Sequence, residues 1–161
     1  MSFQRRMHIG ESHESAVARE LERRGWTVVQ FGQGLLPDDI RTALMDRETP
    51  LRWLPDLIAA KPQQNRVVLV DAKSEQRSDT PNHSLEVAAL TSMLLHQYMY
   101  GIPVVIVWSD FKCSLPQHLK PVRWVLDTDG WVRGSRTPFL LVKKAEQVAM
   151  DDWFGEAEEA A

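Results

Sequence analysis

The chain has 161 residues, of which 43% are hydrophobic and 25% charged, and carries a net charge of −3 at pH 7. This composition suits one globular domain and excludes wholesale disorder and a collagen-like repeat. Cys113 is the sole cysteine, so an internal disulfide and a cysteine-based zinc centre are both excluded and a cytoplasmic setting is expected.

The opening residues, MSFQRRMHIGESHES, are basic and then polar and lack the apolar centre of a secretory signal. No apolar run reaches the roughly 20 residues that span a bilayer, so no membrane partner is expected. Residues 12–24 predict a helix, with Glu14, Val17, Ala18 and Leu21 on one stripe and Gly25 as its stop. Residues 26–31 (WTVVQF) predict a strand, and 32–50 a loop with a short helix around 40–45. Two strands are expected at 52–60 and 66–73, joined by the turn KPQQN. A largely buried helix is expected at 83–99, closed by Gly101 and Pro103. The continuous apolar run VVIVW at 104–108 predicts a strand covered on both faces. Beyond it we expect a hairpin over 122–132 turning at Asp129-Gly130, a strand over 139–142 and a closing helix over 144–154. Residues 1–150 are expected to form a single domain. Residues 151–161, with Asp151, Asp152, Glu156, Glu158 and Glu159 and no base, are expected to form a frayed acidic tail.

The chemistry concentrates at Pro55-Asp56 and at Asp71-Ala72-Lys73. Side chains alternate along a strand, so Asp71 and Lys73 point the same way. A hairpin centred between Gln63 and Gln64 sets Asp56 opposite Asp71. Like charges opposed across a sheet are destabilising, and a bridging cation relieves them. Hard oxygen ligands without cysteine suit magnesium or manganese.

These residues, in this order of elements, resemble the PD-(D/E)xK nuclease superfamily. Pro55, Asp56, Asp71 and Lys73 match its motif, with Ala72 in the variable position. The pattern Gly10-x3-Glu14-x6-Leu21-x3-Gly25 resembles the opening helix of Holliday-junction-resolvase-like and restriction-endonuclease-like members. The resemblance spans about residues 8–110. It implies an α/β fold with a restriction-endonuclease-like αβββαβ core, in which helices flank a mixed central sheet, here followed by a C-terminal hairpin and helix. It also implies that Asp56 and Asp71 ligate a divalent metal (Mg2+ or Mn2+), with the carbonyl of Ala72 as a third ligand. Lys73 would then orient the attacking water and offset charge in the transition state. Glu14 would join the metal directly or through water. Glu11 is its competitor, but Glu14 shares the stripe with Val17 and Leu21. Some members bring a glutamine from the second helix to the site, which makes Gln97 a catalytic candidate. Glu86 lies about 20° from Gln97 around an ideal helix.

Other features are less specific. Asn82 and His83 precede the second helix where a phosphate could approach its N-terminus, although Asn and Ser are also common caps. Residues 112–144 hold seven bases (Lys112, Lys120, Arg123, Arg133, Arg136, Lys143, Lys144) against Asp127 and Asp129, which permits a nucleic-acid ligand. Within that stretch Trp131, near Arg133 and Arg136, is a candidate to stack on a base. Gly32-Gln33-Gly34 is too short for a phosphate-binding fingerprint, and the histidines show no metal-ligand spacing such as HExxH. The expected function is a metal-dependent deoxyribonuclease, possessed of structure selectivity and working as a homodimer. DNA would run over residues 32–50, 74–83 and 112–144. The alternatives are a nuclease-like DNA- or protein-binding module without catalysis, and a hydrolase of RNA or nucleotides.

Overall fold

The computed structural model describes residues 3–47, 49–74, 81–125 and 138–156, with side chains from residue 13 onward. Helix α1 (Phe3–Glu22) buries Val17 and Leu21 completely, and the chain turns at Gly25 with φ +72°. Strand β1 (Thr27–Gln30) is followed by a 3-10 turn (Gln33–Leu35), helix α2 (Asp38–Met45) and a second 3-10 turn (Pro50–Trp53). Asp38 and Asp39 in the first turn of α2 complement its dipole. Strands β2 (Leu57–Lys61) and β3 (Arg66–Lys73) are joined through a 3-10 turn (Pro62–Gln64) and Asn65, whose left-handed conformation (φ +50°) closes the bend.

Strand β4 (Asn82–Glu86) then leads into α3 (Val87–Tyr100), which crosses over to β5 (Val104–Trp108), parallel to β3. The remaining elements are β6 (Lys112–Ser114), β7 (Pro121–Val125), β8 (Phe139–Lys143), β9 (Val148–Ala149) and α4 (Met150–Phe154). The main sheet is mixed and runs β1-β2-β3-β5-β6-β9, and a smaller antiparallel sheet runs β4-β8-β7. The expected α/β core, helices flanking a mixed central sheet, is present.

Two cores sandwich the main sheet. One joins Val17, Leu21, Leu57, Ala59, Val68, Val70, Val105 and Val107 to Met150 and Phe154. The other joins Leu69, Val104, Ile106 and Trp108 to Leu85, Ala89 and Met93, with Leu140 and Val142 of the smaller sheet. All five residues of β5 are buried, alternating between the two cores, as its unbroken apolar run predicts.

The structure corrects several expectations. The strand expected over 52–60 forms only from Leu57, because residues up to Trp53 belong to the 3-10 turn opened by Pro50 and Pro55 lacks the amide hydrogen that a ladder needs. Residues 83–86 are strand rather than helix: His83 and Leu85 point inward while Ser84 and Glu86 point out, a period of two. Strand β7 pairs with β8; most of the hairpin expected over 122–132, with its turn at Asp129-Gly130, lies outside the described residues. The closing helix is confined to α4, preceded by β9 and a 3-10 turn (Lys144–Glu146). Domain packing also runs past residue 150: Phe154 is 1% exposed, and its carbonyl accepts the Trp26 indole hydrogen at 3.0 Å. Helix α3 is buried on one side only, at Ala89, Ser92, Met93 and His96. Among the described residues, no helix is long and apolar enough to cross a membrane.

Candidate active site

The β2–β3 hairpin builds the site. Its ladder pairs Leu57 with Val70 and Ile58 with Leu69, so the register inferred from the turn is the one adopted. Asp56 stands one residue before β2, and Asp71 one residue beyond Val70, the last position of β3 paired to β2. Leu57 and Ala59 pack into one core and Ile58 and Leu69 against the other, so strand alternation carries Asp56, Asp71 and Lys73 to the α3 side of the sheet.

Asp56 is fixed at both its backbone and its side chain. Its carbonyl accepts hydrogens from the amides of Phe31 (2.8 Å) and Gly32 (3.1 Å). Its Oδ2 accepts the amide hydrogen of Ala72 at 2.7 Å. Asp71 is 3% exposed, and the Lys73 ammonium lies 2.6 Å from its Oδ2. The four positions expected to form the site therefore assemble at one end of the ribbon.

Burial and the neighbouring charge of Asp71 push the Asp56 carboxyl up to about 7, against the opposing pull of Lys73 and the Ala72 amide. The charge of Glu14 on α1 adds weakly to the rise. Burial works to lower the Lys73 ammonium, but the charges of Asp71 and Asp56 outweigh it, and Lys73 is held above its ordinary value. Lys73 thus stays a cation. Glu86, the last residue of β4, contributes to that effect.

The donor set is all oxygen. Among the described residues, no three His, Cys, Asp or Glu side chains form a group that could hold a metal ion. The set at the end of the ribbon is two carboxylates and the Ala72 carbonyl, with the charge of Glu14 acting on Asp56 from α1. Magnesium keeps several waters and takes one or two carboxylates, so such a set fits it, and manganese as well; it suits a soft or thiolate-seeking metal poorly.

The other candidates fare differently. Gln97 lies away from the site: its Oε1 accepts the amide hydrogen of Val104 at 3.1 Å, at the start of β5, whereas Lys73 pairs with Trp108 at the other end of that strand. Asn82 and His83 lie within β4, paired to Lys143 and Val142, and α3 starts only at Val87. His83 is fully buried and stacked on Trp108 (centroids 4.3 Å, planes 5° apart), with Nε2 3.5 Å from Asp110, so it does not present itself to a phosphate at a helix end. Arg133, Arg136 and Trp131 lie outside the described residues.

Sequence reasoning missed Gly32. A β-carbon there would stand 3.0 Å from the Asp56 Cα and 3.1 Å from the Pro55 carbonyl oxygen. Only glycine lets β1 run on so close to Asp56. The available signal was a glycine placed directly after the first strand.

Sixteen chains of solved structures match this one. Among them is Hjc of Archaeoglobus fulgidus, a Holliday junction resolvase, with a TM-score of 0.56 and 10% identity, covering 93% of this chain and 98% of that chain. The protein has the restriction-endonuclease-like fold. No protein-family model and no curated protein matches the chain.

Proposed function

We propose that the protein is a divalent-metal-dependent deoxyribonuclease that hydrolyses phosphodiester bonds, with the structure selectivity of a resolvase or repair enzyme. The observation that carries this reading is the meeting of Asp56 and Asp71 over the β2–β3 ribbon with Lys73 beside them. The shared fold with a Holliday junction resolvase supports it.

Asp56, Asp71, the carbonyl of Ala72 and Glu14 would hold magnesium or manganese. A bound divalent ion supplies Lewis-acid polarisation of the phosphate and a water that ionises near neutral pH. The residues of the chain do the rest. Lys73, held as a cation, donates hydrogen bonds to the attacking water and to the phosphoryl oxygens and offsets their growing negative charge. Because it keeps its proton, it is an orienting donor and not the base. The Ala72 amide fixes the rotamer of Asp56, so the carboxylates need little rearrangement when substrate arrives.

The test is a cleavage panel over linear, nicked, flapped and four-way DNA, with magnesium, manganese or chelator, run beside Lys73→Ala. Metal-dependent cutting by the parent alone supports the reading. A parent protein that cuts no DNA form with either ion overturns it.

One observation favours a second reading. Lys73 already neutralises Asp71, so the pocket is partly balanced without an ion. A catalytically silent DNA-binding module would show salt-dependent DNA binding and no calorimetric signal for either metal.

We also propose that the protein works as a homodimer. The 14 residues of α3 contain no Asp, Glu, Lys or Arg, its His96 is buried, and Leu94, Leu95, Tyr98 and Met99 are exposed on it. Contiguous apolar surface of this kind commonly marks an interface. Sedimentation of the parent beside Tyr98→Glu tests the assignment, and a monomeric parent rejects it.

A further inference from the structure

A cleft of about 340 Å³ opens beside the candidate active site, within the size range of small-ligand pockets. It is lined by residues of the β1–β2 connection (Gln33, Arg41, Arg52, Trp53) and by Glu86 at the end of β4. Two links tie it to the site. Gln33 follows Gly32, whose amide is bonded to the Asp56 carbonyl. Glu86 lies close enough to Lys73 for its charge to act on the ammonium.

Trp53 packs against the α3-side core, and the guanidinium of Arg52 lies over its ring, 4.6 Å from the centroid. Among the described residues, no carboxylate pairs with Arg52. A guanidinium backed by an indole makes a flat cationic surface on which a nucleobase can stack. Arg41, steadied by an ion pair with Asp38, adds a second cation suited to a phosphate. The edge of the cleft has the opposite polarity. Gln33 donates its side-chain N–H to the Leu51 carbonyl (2.8 Å), which leaves its Oε1 as an acceptor, and the Glu86 carboxylate is a second acceptor.

We propose that this cleft receives a single unpaired nucleotide of the DNA next to the bond to be cut, its base stacked on Arg52 and its phosphate held by Arg41. The acceptors Gln33 and Glu86 match a base edge rich in N–H donors, so adenine, cytosine and guanine fit better than thymine. In a duplex those Watson–Crick donors are already used, so the cleft selects extruded or single-stranded positions. The proposal rests on the nuclease reading for its meaning but not for its measurement.

The experiment uses the full chain in chelator, so that no cutting occurs. The probes are short duplexes that are perfectly paired or carry one bulged 2-aminopurine or one bulged thymine, titrated by anisotropy and by 2-aminopurine fluorescence. The bulged purine is expected to bind roughly tenfold tighter than the perfect duplex, with its fluorescence quenched by stacking, and the bulged thymine to bind less well. Arg52→Glu is expected to reduce the advantage below about twofold, and Arg41→Ala provides a second variant if that one fails to fold. Equal binding of bulged and perfect duplex by the parent overturns the proposal, as does a preference that survives in the folded variants. Bulge preference in a protein that cuts no DNA would reject the nuclease reading and leave the cleft standing; metal-dependent cutting without the preference would do the reverse.

Discussion

The carboxylate of Asp56 reaches across the ribbon to the amide of Ala72, 2.7 Å away, and so holds its charge next to that of Asp71. Removing either end of this arrangement should cost activity before it costs structure. Asp71→Asn keeps the size of the side chain and removes its charge. Its metal-dependent nicking is expected to fall by about 10²-fold or more, and Lys73→Ala by a similar factor, with circular dichroism near that of the parent. Nicking of either variant at the parental rate would place the chemistry elsewhere.

The state of Asp56 makes stability depend on pH. In metal-free protein its folded-state value is raised from 3.8 to about 7, chiefly by burial and then by the charge of Asp71. The folded state therefore holds more protons than the unfolded state between those values. The stability contributed by protonated Asp56 is full below 3.8 and is lost as pH rises through about 7. The melting midpoint measured in chelator should decline across that window, and Asp56→Asn should flatten the decline. Magnesium should restore part of the midpoint near pH 8, because a ligand of the folded state stabilises it. An identical pH profile for parent and Asp56→Asn would contradict this account.

Gly32 gives a sharper test, because a second glycine serves as its control. A β-carbon at residue 32 meets backbone atoms at 3.0 and 3.1 Å, while one at Gly34 meets nothing within 4 Å. Gly32→Ala is expected to destabilise by about 1–3 kcal/mol and to lower nicking further by displacing Asp56. Gly34→Ala should leave both near the parental level. Denaturant unfolding and the nicking assay on the two variants decide it.

Gln97 separates a structural role from a chemical one. Gln97→Ala strips the Val104 amide of its partner at the buried start of β5, at a cost of about 1–3 kcal/mol. Nicking at a temperature where the variant is fully folded should remain close to the parental rate. A large activity loss in the folded variant would return Gln97 to the site.

The site was legible because its signals are local. Apolar runs of matching length flank a polar turn, and that alone sets the register from Lys61-Arg66 up to Leu57-Val70. Glu14, the α1 residue whose charge acts on Asp56, was legible as a candidate because it continues the stripe of Val17 and Leu21. Strand β4 was hidden because His-Ser-Leu-Glu runs without a breaker into the apolar sequence of α3, and a period of two over five residues is drowned by the run that follows. Helix α3 is apolar nearly all round, a pattern that predicts burial, yet Tyr98 is 86% exposed. The displacement of Gln97 and the need for Gly32 come from tertiary neighbours distant in the chain, Val104 excepted, which no spacing rule reveals.

The last helix carries a practical consequence. Trp26 is clasped by the Phe154 carbonyl, and Arg24 makes an ion pair with Asp151. A shortened version of the protein ending at residue 150 would strip an aromatic plug from beneath the first helix and orphan two groups at its exit. The earliest safe place to cut the chain, or to attach a fusion partner at that end, therefore lies after Gly155.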